Sequence, residues 1–328
     1  MKKTTINFQK GWAGVFAKLN MYIVACKVAK RSGYLPVPYW PSVWHEEEKF
    51  DIWDVFFERV GHSVDDKYGL TQEVNIVKLF AKHERDKQVN PAPQYAGILR
   101  VPFDRHECHA IIDEYILLQP WLKEKIQSLY EQHFSSFRVL GVHLRGPGKN
   151  NVGHGGVDRL DYLLGVGSPP FSKYFELIDK SLDEYDRIFL GTDAGIVQKK
   201  VRERYGDRVL TVASEQYELG EAHAKNRKAS GGISFNKLGM EALVDAYLLA
   251  RCDQFIHGNS HLSNYVMCLS PDLKTENVYE GLYERAASPQ LRLKSLWSKQ
   301  IKPAIQHGPV GKLRVHLGRL KRQLQKKQ

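Results

Sequence analysis

Apolar residues along this chain fall into short runs separated by longer stretches where they recur every three or four positions. RVLGVHL (138–144), RIFLGTD (187–193), RVLTVAS (208–214) and DQFIHGNS (253–260) read as strands. Between and after them, FSKYFELIDKSLDEY (171–185), AGIVQKKVRERYG (194–206, closed by a glycine), KLGMEALVDAYLLARC (237–252) and HLSNYVMCLS (261–270) carry helical spacing. Strands that alternate with helices predict a parallel sheet covered on both faces.

The first 135 residues show the same alternation less clearly. GWAGVFAKLNMYIVACKVAKRSGYLPVPYW (11–40) predicts a glycine-rich loop, a long helix and a short strand at LPVPYW. DIWDVFFERV (51–60), Glu73 to Lys82 and Cys108 to His133 have helical spacing. The expected organisation is an N-terminal α/β domain at 1–135, a C-terminal α/β ligand-binding domain at 136–290 and a basic helical extension at 291–328. Two such α/β units place a cleft between them, and ligands belong at the carboxyl ends of the strands.

Those strand ends hold the chemistry. His143, Arg145 and Lys149 stand among glycines after the first strand, Thr192 and Asp193 after the second, and Gly258, Asn259, Ser260 and Ser263 after the fourth. Glycines let a backbone approach phosphate oxygens, arginine matches them as a planar fork, and a helix N-terminus favours anions. Asp193 and Asp245 suit hydroxyl or N–H groups of a ligand, although Asp193 is equally suited to cap the helix that follows it.

Composition narrows the class. The 328 residues carry 48 Lys and Arg against 37 Asp and Glu, a formal charge of +11. Arg285 to Gln328 holds 12 of the basic residues and no acidic one, so the rest of the chain is close to neutral. Net charge therefore gives no support to a nucleic-acid surface on the main body. Leu313, Leu317, Leu320 and Leu324 form a stripe in this basic tail, a pattern suited to an anionic membrane surface or to packing on the body of the protein.

No apolar run is long enough to span a membrane, and none follows the two N-terminal lysines as a leader would require. Four dispersed cysteines without a C-x-x-C pair fit reduced thiols in a cytoplasmic protein. HECH (106–109) lacks the spacing of a zinc site, and neither G-x-G-x-x-G nor a P-loop occurs. No metal or cofactor is expected.

GVHLRGPGKN, FLGTD and LVDAYLLARCDQFIHGNSHLS, in that order, resemble motifs of the GDP-fucose-dependent fucosyltransferases of the GT-B superfamily, most of all the α1,6 nodulation-factor type. The resemblance runs from about residue 11 to 270. It implies a GT-B fold of two Rossmann-like domains, a metal-independent inverting transfer of fucose from GDP-fucose, and a glycan or lipid-linked acceptor. By motif it places Arg145 and Ser260 at the pyrophosphate, His143 and Asp245 at guanine, and Lys149, Tyr162 and Asp193 around the donor; Ser263 joins the donor-binding candidates by its place in the turn after Ser260. Candidate bases are His154, Asp158, Asp161 or a carboxylate of HEEEK (45–49). Gly146, Pro147 and Gly148 replace an acidic residue that α1,6 relatives often carry after the arginine, and Ala194 replaces their second Asp. A different nucleotide sugar and a non-catalytic glycan-binding role are the alternative readings.

Overall fold

A computed structural model of the chain describes residues 2–7, 14–40, 51–61, 73–74, 104–145, 170–212, 235–258 and 260–279. Elements are numbered in chain order within these residues. The N-terminal part contains β1 (Lys2–Asn7), α1 (Val15–Arg31), β2 (Tyr34–Tyr39), α2 (Ile52–Phe56), β3 (Glu73–Val74), α3 (Arg105–Tyr115) and α4 (Pro120–His133). The remainder contains β4 (Val139–His143), α5 (Phe171–Ser181), β5 (Arg187–Gly191), α6 (Gly195–Tyr205), β6 (Val209–Leu210), α7 (Phe235–Leu249), β7 (Gln254–His257), α8 (His261–Leu269) and β8 (Lys274–Asn277). Two parallel sheets result, ordered β2-β1-β3 and β6-β5-β4-β7-β8. The alternation of strands and helices thus builds the parallel, helix-covered sheets that the pattern predicted.

Several boundaries differ from the sequence reading. KKTTIN, taken there only as the start of an insufficient leader, is the central strand of the first sheet, with Ile6 buried. Glu73–Val74 pairs with β1 as a strand, not a helix, because a short apolar run fits either period and pairing decides. DIWDVFFERV is helical only over Ile52–Phe56, since Phe57 leaves the helix to bridge Leu118 while Glu58 N–H donates to the Leu117 carbonyl. Asp51 starts that helix: its Oδ1 accepts from the backbone N–H of both Trp40 and Trp53, and Arg59 pairs with its Oδ2 at 2.9 Å. The strand expected over 208–214 is two residues long, as suits an edge strand with one neighbour, and β8 was not anticipated.

The second sheet shows why its strands read as continuous apolar runs. Leu140, Val142, Ile188, Leu190 and Ile256 point to one face, where Tyr174 and Ile178 of α5 and Val197, Val201 and Tyr205 of α6 cover them. Val139, Phe189 and Phe255 point to the other face and join a core with α1, α3, α4, α7 and α8. This second core is continuous across residue 135. Each large side chain so buried contributes roughly 1.5–3 kcal/mol.

Glycines set how close α7 comes to the sheet. A Cβ on Gly141 would lie 3.0 Å from Cys252 Sγ and 3.2 Å from Leu249 Cδ2, and one on Gly191 would lie 3.1 Å from Leu249 Cδ1. The helix therefore rests almost on the backbone of β4 and β5.

Candidate functional site

In the five-stranded sheet, chain order runs outward from β4 in both directions, so the topological switch point lies between β4 and β7. The two strands end level with each other, His143 paired with His257. Gly191 completes the row on β5. This row faces the same side as Gly141 and Phe255, toward α7 and α8.

Ser260 starts α8 as its N-cap, its Oγ accepting from the backbone N–H of Ser263 at 3.0 Å. The same hydroxyl lies 2.9 Å from Ser263 Oγ, which lies 3.2 Å from His143 Nδ1. Ser263 is fully buried and His143 nearly so. The end of β4 is thus tied to the first turn of α8 through two hydroxyls. The other N–H groups of that first turn have no partner within the helix.

Arg145 is exposed and makes no ion pair among the described residues. Its charge nevertheless acts on its neighbours. Burial, then Arg145 and His257, push the His143 imidazole down to about 3. Burial and Arg145 bring His261, at the start of α8, down to about 4. Burial also brings His257 down to about 4, against a hydrogen bond between its Nδ1 and the Gly258 carbonyl. Three neutral imidazoles and one unpaired guanidinium surround the switch point, an arrangement suited to an anion.

Asp245 comes from α7, at the carboxyl end of β5. Its Oδ2 lies 3.8 Å from where a Cβ on Gly191 would sit, which places the carboxyl group against the end of that strand. Desolvation first, then the charges of Glu241 and Asp193, raise its carboxyl well above the usual range. Such a carboxylate is poorly compensated and suited to accept from N–H groups of a ligand. Asp193 is half-buried, and α6 begins instead with Ala194 as its N-cap, whose N–H donates to Thr192 Oγ1.

Of the residues picked out from sequence, His143, Arg145, Asp193, Asp245, Ser260 and Ser263 therefore stand at the carboxyl ends of β4, β5 and β7. Lys149, His154, Asp158, Asp161, Tyr162, Asn259, HEEEK and the basic tail lie outside the described residues. HECH has a docking role. Arg105 donates to Thr275 Oγ1 at 3.1 Å, His106 meets Asp272 at 3.3 Å, and His109 meets the Cys268 carbonyl at 3.0 Å, holding α3 against α8 and β8. Among the described residues no three His, Cys, Asp or Glu side chains converge as metal ligands. His257 and His261 were not anticipated as site residues, though both stand within the HGNSH motif.

A family model described as nodulation protein Z, NodZ, matches residues 98–274, more than half of the chain. Two curated relatives share 28% identity: nodulation protein Z of Bradyrhizobium diazoefficiens over 160 residues, and that of Sinorhizobium fredii over 144. These matches cover 47% and 41% of this chain, and the chain spans only 40% of the length of each relative. A crystal structure of NodZ α-1,6-fucosyltransferase soaked with GDP-fucose superposes with a TM-score of 0.54 at 18% identity, over 83% of this chain and 94% of that one. That likeness shows the GT-B-type fold that the motif resemblance implied. The switch-point motifs from β4 to α8 all fall inside the matched segment, and on that match the chain belongs to the NodZ family.

Proposed function

We propose that this protein transfers fucose from GDP-fucose to a hydroxyl of a glycan or lipid-linked oligosaccharide, without a metal and with inversion at the sugar carbon. The observation that carries this reading is Arg145, a cation with no ion pair among the described residues, at the switch point beside the Ser260-capped start of α8. The acceptor oxygen forms a bond to the anomeric carbon as the bond from that carbon to the diphosphate oxygen breaks. The electron pair leaves with GDP, where Arg145 and the first-turn N–H groups of α8 meet the developing charge. His154 or Asp158 takes the acceptor proton. Asp245 receives N–H donors of guanine, Lys149, Tyr162 and Asp193 line the donor, and His143 with Ser263 fixes the floor of the site.

Titration calorimetry with GDP, UDP and ADP and their sugars tests the donor. GDP and GDP-fucose should bind, and Arg145→Ala should abolish the heat. Binding of a different nucleotide in preference to GDP sinks the donor assignment, and GDP binding with no transfer to any glycan favours a binding protein. The basic tail is proposed to rest on the cytoplasmic membrane face. Equal liposome binding with and without residues 309–328 rejects this. Nucleic acid is not among the proposed partners.

A further inference from the structure

Asn20 belongs to α1, yet its side chain reaches the first residue of α8. Its Nδ2 donates to the His261 carbonyl at 2.9 Å and lies 3.5 Å from His261 Nδ1. The side chain is 2% exposed, and its Oδ1 has no hydrogen-bond partner among the described residues. A buried oxygen without a partner costs about 1–3 kcal/mol, which a leucine at this position would avoid. The amide group is therefore present for what its nitrogen does.

The carbonyl contact fixes which way the amide faces, since the opposite assignment would set two oxygens 2.9 Å apart. The NH2 group then confronts His261 Nδ1. A proton on Nδ1 would place two donors against each other, so Nδ1 must carry the lone pair. In a neutral imidazole the proton then sits on Nε2, the ring nitrogen on the opposite edge. Nε2 has no hydrogen bond among the described residues. Burial and the nearby Arg145 charge keep the ring neutral near pH 7.

We propose that Asn20 is a positioning residue that locks His261 as the Nε2–H tautomer, making it an uncharged hydrogen-bond donor beside Arg145 for an anionic ligand group. A neutral donor next to a cation adds a directed hydrogen bond without a second, repelling charge. The identity of the anion as a diphosphate rests on the proposed donor; the tautomer does not. Asn20 also makes the orientation of a group on α8 depend on α1.

Long-range proton–nitrogen NMR of the full chain labelled with nitrogen-15 histidine tests this, with His261→Gln identifying the signal. In the wild-type protein His261 should show a bare Nδ1 and a protonated Nε2 near pH 7. In Asn20→Ala, checked for folding by its thermal transition, both tautomers should appear and GDP affinity should fall by about tenfold, the value of one neutral hydrogen bond. A protonated Nδ1 in the wild-type protein overturns the proposal without need of any variant. So does an unchanged tautomer in Asn20→Ala. A locked tautomer in a protein that binds no GDP supports the positioning role and rejects the donor assignment.

Discussion

His143 and His257 stand directly opposite each other, each the last residue of its strand, and neither can hold a proton cheaply. Burial brings them to about 3 and about 4, below the ordinary value of 6.5. Burial and the charge of Arg145 bring His261, the first residue of α8, to about 4. Folding therefore releases protons at these sites when the pH lies between those depressed values and about 6.5.

The unfolded chain binds more protons than the native state between the depressed values and 6.5, so stability rises with pH across that window. The contribution is complete above the ordinary histidine value and is lost as the pH falls. Each histidine should steepen the slope by about 1.4 kcal/mol per pH unit. Denaturant unfolding between about pH 5 and 6.5 should show this, with a flatter slope in His257→Gln. An equal slope in that variant contradicts the assignment.

Asp245→Asn should separate stability from binding. Burial and the charges of Glu241 and Asp193 disfavour an ionised Asp245, and a neutral amide at this position removes that cost. The variant should melt at a higher temperature than the wild type at pH 7. On the proposed contact of Asp245 with guanine, an amide sets donors against guanine N–H groups, so GDP affinity should drop by at least about tenfold. A melting point that falls would show that Asp245 is already compensated by the protein.

Gly258→Ala should damage the site sterically. The added Cβ would lie 2.8 Å from Tyr174 Oη, and Tyr174 is buried under the sheet. The turn between β7 and α8 must then move, at a cost of about 1–3 kcal/mol. Adding Tyr174→Phe removes the clashing oxygen, so the double variant should be more stable than the sum of the two single changes. Strict additivity in thermal unfolding would mean that the turn yields elsewhere.

Arg145→Lys keeps the charge and loses the fork. Transfer activity should fall by about a hundredfold, and the exposed position should leave stability within ~0.5 kcal/mol. Wild-type turnover in this variant would show that a point charge suffices.

Strands β4, β5 and β7 were legible because short runs buried at nearly every position, such as Val139–His143, read as central strands of a parallel sheet. The ordered motifs gave the site residues at those strand ends. β1 was hidden by its composition: Ile6 is the one large apolar residue among lysines and threonines, and pairing with β2 and β3 decides the strand's place. Asn20 was invisible for a different reason. It lies 241 positions from His261, in a helix whose periodicity says only that position 20 faces inward. Local pattern gives a residue its side of an element, and only the packed fold gives it a neighbour.

The strand order has a consequence for how the molecule is made. Leu140 pairs with Gln254, so the centre of the sheet cannot close until more than a hundred further residues have left the ribosome. Until then β4 has an open edge exposed to any other chain, and loop closure over that distance is slow. The row completed by this pairing, His143 against His257, is also the floor of the switch-point crevice. Ligand affinity there should be acquired in the same kinetic step as the finished sheet, with no competent half-folded precursor.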